Sequence, residues 1–314
     1  MSVIELDRLT KHYRSTVAVD AVSAVIQPGS VTGLLGPNGA GKSTTLRMIA
    51  GLDRPTSGRA LIEGRSYRER PAPLQEIGVL LEGRSAHPSR RGVDHLRSLA
   101  FSNRIPERRT TEVLALCGLA HVGRRRAGKL SLGMNQRLGL AAALLGDPAV
   151  LILDEPSNGL DPEGIHWLRH LLRELAGRGR TVLVSSHHIA EIAQTADHVV
   201  VVGRGRVLAD CPTGRLPLLA GLDRAVRVRS DQAGLLAQQL SQHRATIERP
   251  DEATLLVSGL ARDAIAGVAS SLGVVLSELT ETVPSLEQAY LALTEEAAEH
   301  IGTTPRHREE RPET

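Results

Sequence analysis

The chain has 314 residues, with 38 Lys+Arg against 35 Asp+Glu and a formal net charge of +3. Its 41% hydrophobic content is ordinary for a globular protein and excludes wholesale disorder. One Trp, one Phe and three Tyr are too few for a base-stacking platform on single-stranded nucleic acid. No apolar run reaches the roughly 20 residues that cross a bilayer. The longest, Leu138 to Leu153, is interrupted by Gly146, Asp147 and Pro148. The opening residues carry an acid at Glu5 and no basic stretch ahead of an apolar run, so a secretory signal is not expected. Cys117 and Cys211 show no ligand or disulfide spacing and read as incidental thiols of a reducing compartment.

In chain order, Val3–Leu6 and Val17–Val19 through Ile26 read as short strands. A turn at Gln27–Ser30 separates them from Val31–Leu35, an apolar run of buried-strand length. A glycine-rich loop and a helix from Thr44 to Ala50 follow. Residues 86–130 read as mostly helical, with Arg-rich connections; the run Arg124–Arg126 is a solvated connection. Leu138–Leu145 is an apolar helix and Val150–Leu153 a fully apolar strand ending in two acids. Then come a helix over Ile165–Ala176, a strand over Thr181–Val184, a helix over Ile189–Ala196 and a strand over His198–Val202. Apolar strands alternating with helices predict a largely parallel sheet covered on both faces.

Past Gly221 the texture changes. Ala225–Arg229 alternates with period two, Gln232–His243 is helical, and Ala245–Glu248 and Thr254–Val257 are strands around a turn at Pro250-Asp251. Ala261–Leu272 is helical, Val274–Leu279 strand-like and Ser285–Ala298 helical. This β-α-β-β-α-β order predicts a small α+β split-βαβ sandwich with an appended helix. The expected division is 1–220, 221–300 and a disordered tail at 301–314. Charge follows it: residues 1–220 hold 29 basic and 20 acidic side chains, residues 221–314 hold 9 and 15. The basic unit suits phosphate ligands, and the acidic balance of the second argues against nucleic acid. Only three of the basic residues are lysines: Lys11, Lys42 and Lys129.

One of those lysines stands in Gly36-Pro37-Asn38-Gly39-Ala40-Gly41-Lys42-Ser43, which fits G-x-x-x-x-G-K-[ST]. By chance, roughly 0.01 such matches are expected in a chain of this length. Glycines let backbone N–H groups turn inward around phosphate oxygens, and the following helix adds its positive end. Lys42 delivers a compact cation to the outer phosphates, and the Ser43 hydroxyl is a ligand for Mg²⁺. Asp154, ending the strand at Val150–Leu153, is the second metal candidate. Its neighbour Glu155 is placed to polarise an attacking water. His187 leaves the C-terminal end of a strand, where α/β sheets place their ligands, although His188 is equally placed by sequence alone.

With Leu130-Ser131-Leu132-Gly133-Met134 and Asn158-Gly159-Leu160-Asp161 these motifs form an ordered set over roughly residues 3–215. The chain here resembles the ATP-binding cassette (ABC) family, specifically the separate ATPase subunits of multidrug or antibiotic exporters. The resemblance implies a P-loop NTPase fold, a RecA-like core plus a helical subdomain at about 86–130. It also implies a Mg²⁺-dependent ATP hydrolase acting as a head-to-tail homodimer on a separate integral-membrane permease, peripheral on the cytoplasmic face of the membrane. Carried over by position, the loop residues through Thr44 bind the nucleotide and Tyr13 stacks on adenine. Ser131 and Gly133 reach the γ-phosphate across the dimer, Asp161 links the two sites, and His187 holds the γ-phosphate. Ser131 also suits the N-cap of the helix that follows. Glu82 stands after Ile77–Leu81, where the family has a glutamine, and is a third metal candidate. Leu132 and Met134 depart from the family's usual signature residues. The last 95 or so residues resemble the small accessory domain of the same subunits, with Ser285–Thr294 as its closing helix.

Two rivals fit the motifs less well. A soluble ABC ATPase of DNA repair carries a long coiled coil between loop and signature, and ribosome-associated relatives carry two cassettes; this chain has neither. A regulatory module without turnover leaves Lys42, Asp154, Glu155 and His187 unexplained as a set.

Overall fold

The computed structural model describes residues 3–81, 86–222, 224–243, 245–282 and 284–299. Contacts divide the chain into two compact units, Met1–Thr213 and Gly214–Thr314. The short helix Leu216–Leu219 falls in the second unit because it packs on that unit's closing helix. Glu82 and the tail at 301–314 lie outside the described residues.

In the first unit, β1 (Ile4–Tyr13), β2 (Thr16–Ile26) and β4 (Ser57–Ile62) form an antiparallel sheet in the order β2-β1-β4. The second sheet holds β3 (Val31–Leu35), β5 (Ile77–Leu80), β6 (Val150–Asp154), β7 (Thr181–Ser186), β8 (His198–Gly203) and β9 (Arg206–Pro212). Its order is β5-β6-β7-β3-β8-β9, parallel throughout except for the antiparallel edge pair β8–β9. β3, β6 and β7 are buried along their whole length, which is why they read as unbroken apolar runs. Between the sheets, Ile4, Leu9 and Val19 meet Leu34, Ile152 and Leu183, joined by Leu46 and Ile49 of α1 (Lys42–Ile49).

The predicted parallel sheet is present, but β4 and β9 were not foreseen. β4 begins with the exposed Ser-Gly-Arg, and β9 mixes Arg206, Asp210 and Pro212 among its apolar residues. Edge strands need not be apolar on both faces, so their pattern is weak. The helical segment contains α2 (Gly92–Ser102) and α3 (Arg108–Leu116). The helix expected at Leu138–Leu145 is longer, α4 (Leu132–Ala143), because Ser131 caps it: the Ser131 Oγ accepts from Met134 N at 3.2 Å. It is followed by α5 (Pro162–Gly177) and α6 (Ile189–Thr195).

The second unit holds α7 (Leu216–Leu219), β10 (Ala225–Arg229), α8 (Ala233–Ser241), β11 (Thr246–Glu248), β12 (Thr254–Ser258), α9 (Arg262–Ser271), β13 (Glu278–Thr282) and α10 (Leu286–Glu299). The sheet order β11-β12-β10-β13, antiparallel throughout, is the split-βαβ arrangement read from the sequence. The last strand is not at Val274–Leu279 but four residues on. Register with β10 pairs Leu279 with Val228, while Val274 enters the core and Val275 stays exposed. α10 opens with a capping box, in which Ser285 Oγ accepts from Gln288 N at 3.1 Å and Ser285 N donates to Gln288 Oε1 at 2.8 Å. No helix among the described residues is long and apolar enough to cross a membrane.

The helical segment buries titratable groups, His95 and Cys117 among them. His95 on α2 is buried, its Nδ1 has no hydrogen-bond partner, and its pKa is lowered by burial and then by Arg90. A histidine whose folded pKa lies below its unfolded value of about 6.5 stabilises the fold above that pH and loses the contribution as pH falls through the folded value. The unfolding free energy from denaturant titrations is therefore expected to drop between pH 7.5 and 5.5, by at most about 1.4 kcal/mol per pH unit from this residue. His95→Leu should flatten that part of the profile.

Candidate functional site

Three neighbouring strands end on one edge of the parallel sheet: β6 in Asp154-Glu155, β7 in Ser186-His187, and β3 in the loop that opens α1. The crevice beyond the carboxyl ends of such strands is the ligand position of open α/β sheets. An open cleft of about 430 Å³ lies there, lined by Asn38, Lys42, Ser43, Thr44, Glu155 and His187 among others.

The loop has the shape its glycines dictate. Gly41 has φ +99°, and a Cβ placed on it would lie 2.5 Å from the Ala18 carbonyl oxygen. Only glycine meets both conditions without strain. Ala40 is buried, its N–H donating to the Pro37 carbonyl at 3.1 Å. The first turn of α1 contains no acidic residue, so the positive end of its dipole faces the cleft without an anion of its own.

Lys42 is buried, and its Nζ donates to the carbonyl oxygens of Gly36 at 2.7 Å and Pro37 at 3.4 Å. It also stands 4.0 Å from Glu155 Oε1. The other carboxylate oxygen, Oε2, is 2.8 Å from His187 Nδ1. One buried carboxylate thus lies between an ammonium and an imidazole. His188 instead occupies the N-cap position of α6, its ring tilted 41° against the His187 ring with centroids 3.9 Å apart. Glu155 has φ +47°, a left-handed conformation that costs a non-glycine residue roughly 1–2 kcal/mol. Asp154, buried at the end of β6, accepts a short hydrogen bond from Ser185 Oγ.

Tyr13 ends β1, about half exposed, and does not line the phosphate cleft. Its hydroxyl donates to Asp53 Oδ2 at 2.8 Å and engages Thr44 on the cleft rim. Partial burial and the Asp53 carboxylate push the phenol up, while Arg47, 2.9 Å from Asp53 Oδ2, holds Asp53 below the usual carboxylate range. Lys11 Nζ lies 5.0 Å from the Tyr13 ring centre.

The signature residues are elsewhere in the same unit. Ser131, Gly133 and Asp161 line a second cleft of about 570 Å³ that shares no residue with the first. Asp161 caps α5, its Oδ1 accepting from Gly164 N at 2.8 Å. A Cβ on Gly133 would lie 2.6 Å from the Gly159 carbonyl, so the two motifs meet at backbone distance. The structure therefore brings Gly36–Thr44, Asp154, Glu155 and His187 together, and places Ser131, Gly133 and Asp161 in a separate group. Sequence reasoning missed Ser185, Gln136 and Asp53, which hydrogen-bond residues it did name. Only the Ser185-Ser186-His187 run, polar at the end of an apolar strand, was a signal for the first.

A phosphate-gripping loop, a buried lysine and a carboxylate–imidazole pair at the ends of central parallel strands define a phosphate-loop nucleotide hydrolase. A family model described as ABC transporter matches residues 19–158, and a second, described as a domain of unknown function, matches residues 224–287. The bacitracin transport ATP-binding protein BcrA of Bacillus licheniformis is 41% identical over 218 residues, covering 68% of this chain and 71% of that protein. The daunorubicin resistance ATP-binding protein DrrA3 of Streptomyces coeruleorubidus is 34% identical over 304 residues, covering 93% of this chain and 96% of that one. Among solved structures, an ATP-binding subunit of an ABC transporter matches with TM-score 0.65 at 29% identity, over 70% of this chain and 94% of that one. The dimeric structure of the bacterial ABC transporter cassette MJ0796 matches with TM-score 0.62 at 26% identity, over 67% of this chain and 98% of that one. The chain belongs to the ABC transporter family as an ATP-binding, ATP-hydrolysing subunit.

The glycine geometry is testable. Gly41→Ala forces a side chain into left-handed backbone against the Ala18 carbonyl, a strain of about 1–3 kcal/mol. Nucleotide affinity measured by calorimetry is expected to fall by about 10-fold or more, with a lowered unfolding temperature.

Proposed function

We propose that this chain energises export of a drug, antibiotic or lipid-like molecule through a separate integral-membrane permease, acting as a homodimer on the cytoplasmic face of the membrane. The observation that carries the hydrolytic reading is the Lys42–Glu155–His187 arrangement at one cleft. Export is supported by the relatives, whose names are those of bacitracin transport, lantibiotic transport and daunorubicin resistance ATP-binding proteins. The near full-length likeness to the daunorubicin resistance protein extends this to the second unit, read as its accessory domain.

The residues fit a nucleoside triphosphate with a hard divalent cation. Lys42 takes the outer phosphates, which then share the ammonium with Glu155. The Asn38–Thr44 backbone and the start of α1 hold the phosphate oxygens, and Tyr13 offers its ring to the base. Ser43 and Asp154 present oxygen ligands, the type Mg²⁺ prefers; when bound, that ion neutralises charge building up on the phosphates. No cluster of three or more His, Cys, Asp or Glu exists among the described residues, so phosphate and water would complete the coordination. Glu155 takes a proton from water as the water oxygen bonds to the γ-phosphorus, and the bond from that phosphorus to the β-phosphate oxygen breaks. His187, whose Nδ1 already lies on Glu155 Oε2, orients the carboxylate and holds the γ-phosphate.

In the head-to-tail arrangement Ser131 and Gly133 of one copy face the nucleotide of the other. Their separation from Lys42 within one chain supports this reading. So does the dimeric cassette among the solved structures. Asp161, beside the signature segment, is the link between the two sites.

Glu155→Gln keeps the shape but removes the base. It is expected to retain ATP binding, to lower hydrolysis by about 10²–10⁴-fold, and to run as a dimer in Mg-ATP on gel filtration. Cells lacking the chain should accumulate the exported drug, wild type should reverse this, and Glu155→Gln should not. Hydrolysis at wild-type rate in that variant would refute the role of Glu155, and reversal of drug accumulation by it would refute ATP-driven export.

A further inference from the structure

Glu155 is held in its left-handed conformation by contacts to both ends of its own residue. Its N–H donates to Ser185 Oγ at 3.0 Å, and Ser185 Oγ in turn donates to Asp154 Oδ1. Its carbonyl accepts from Gln136 Nε2 at 3.1 Å and from Asn158 N at 3.2 Å. Ser185 is fully buried on β7, where the parallel register sets it directly across from Asp154. Gln136 lies on α4, the helix capped by Ser131 and opened by the signature segment. A left-handed non-glycine residue persists only where its surroundings over-determine it, and here two side chains from two different elements supply that constraint.

We infer that Ser185 and Gln136 are positioning residues for hydrolysis: together they fix the Glu155 backbone, so that its carboxylate stays between Lys42 and His187. The Ser185 hydroxyl serves both acids at once, orienting one oxygen of Asp154 while anchoring the N–H of Glu155. Gln136 ties the same residue to the signature helix of its own chain. Any shift of that helix is then felt at the carbonyl of the base. The inference rests on the reading of Glu155 as the base.

The test compares steady-state ATP hydrolysis, nucleotide affinity by calorimetry and thermal unfolding in four variants of the full chain. Ser185→Ala removes the hydroxyl, and Ser185→Thr retains it. Gln136→Glu keeps the shape but replaces the donating amide with oxygen, and Gln136→Leu removes all polarity at similar size. Ser185→Ala is expected to lower kcat by about 10-fold, the loss of roughly one well-placed hydrogen bond to the reacting geometry. KM and ATP affinity should stay within about 2-fold, and Ser185→Thr should recover most of kcat. Both Gln136 variants should lower kcat several-fold with the same split. Unchanged kcat in Ser185→Ala and in both Gln136 variants overturns the inference. So does a loss shared equally by kcat, affinity and unfolding temperature that Ser185→Thr does not relieve. Failure here is separable from failure of the base itself: if Glu155→Gln abolishes hydrolysis while these variants do not slow it, only the positioning role falls.

Discussion

A buried ammonium and a buried carboxylate, 4.0 Å apart at the ends of the central strands, are the constraint on which the site depends. Taking either charge out of water alone is costly, and removing one partner of such a pair leaves the other uncompensated. The fold meets that cost locally. Lys42 has two backbone carbonyls, and Glu155 has His187. Because the lysine follows a loop of permissive glycines and the glutamate is wedged into left-handed backbone, neither charge can leave without disturbing the sheet edge. In the proposed reaction, a phosphate entering the cleft meets a cation already fixed and a carboxylate already held. This is the preorganisation that makes electrostatic stabilisation effective in phosphoryl transfer.

The second cleft gives the other half of the logic. Ser131 and Asp161 both serve first as helix caps, satisfying N–H groups of α4 and α5. Capping side chains stand where a helix N-terminus projects its partial positive charge, so the residues that start these helices are also suited to meet an anion. The close approach of Gly133 to the Gly159 carbonyl locks the two segments to each other.

Much of this was legible in the sequence because the motifs are contiguous and their local chemistry is self-sufficient. The loop Gly36–Ser43 needs no tertiary partner to be recognised, whereas the apolar strand ending in Asp154-Glu155 is weak evidence alone and takes its meaning from that loop. The split-βαβ order of the second unit followed from alternation and turn residues. What stayed hidden depends on register between distant segments. Ser185 matters because β7 lies beside β6 with Asp154 opposite Ser185, and no local pattern reveals that pairing. Gln136 matters because a helix in a different subregion passes the Glu155 carbonyl. β13 slid four residues along the chain because Val274-Val275-Leu276 is the more apolar stretch, whereas the strand position was decided by pairing with β10. β4 and β9, at sheet edges, lack the apolar pattern that a fully buried strand must have.

The measurement that bears most directly on the account is calorimetric titration of the intact chain with Mg-ATP, beside the same titration of Lys42→Ala. A lysine that donates charge-assisted hydrogen bonds to phosphate contributes on the order of 100-fold in affinity. The account predicts saturable heat with the wild-type chain and its loss, or weakening by at least about that factor, in the variant. Equal affinity in the two proteins would contradict it.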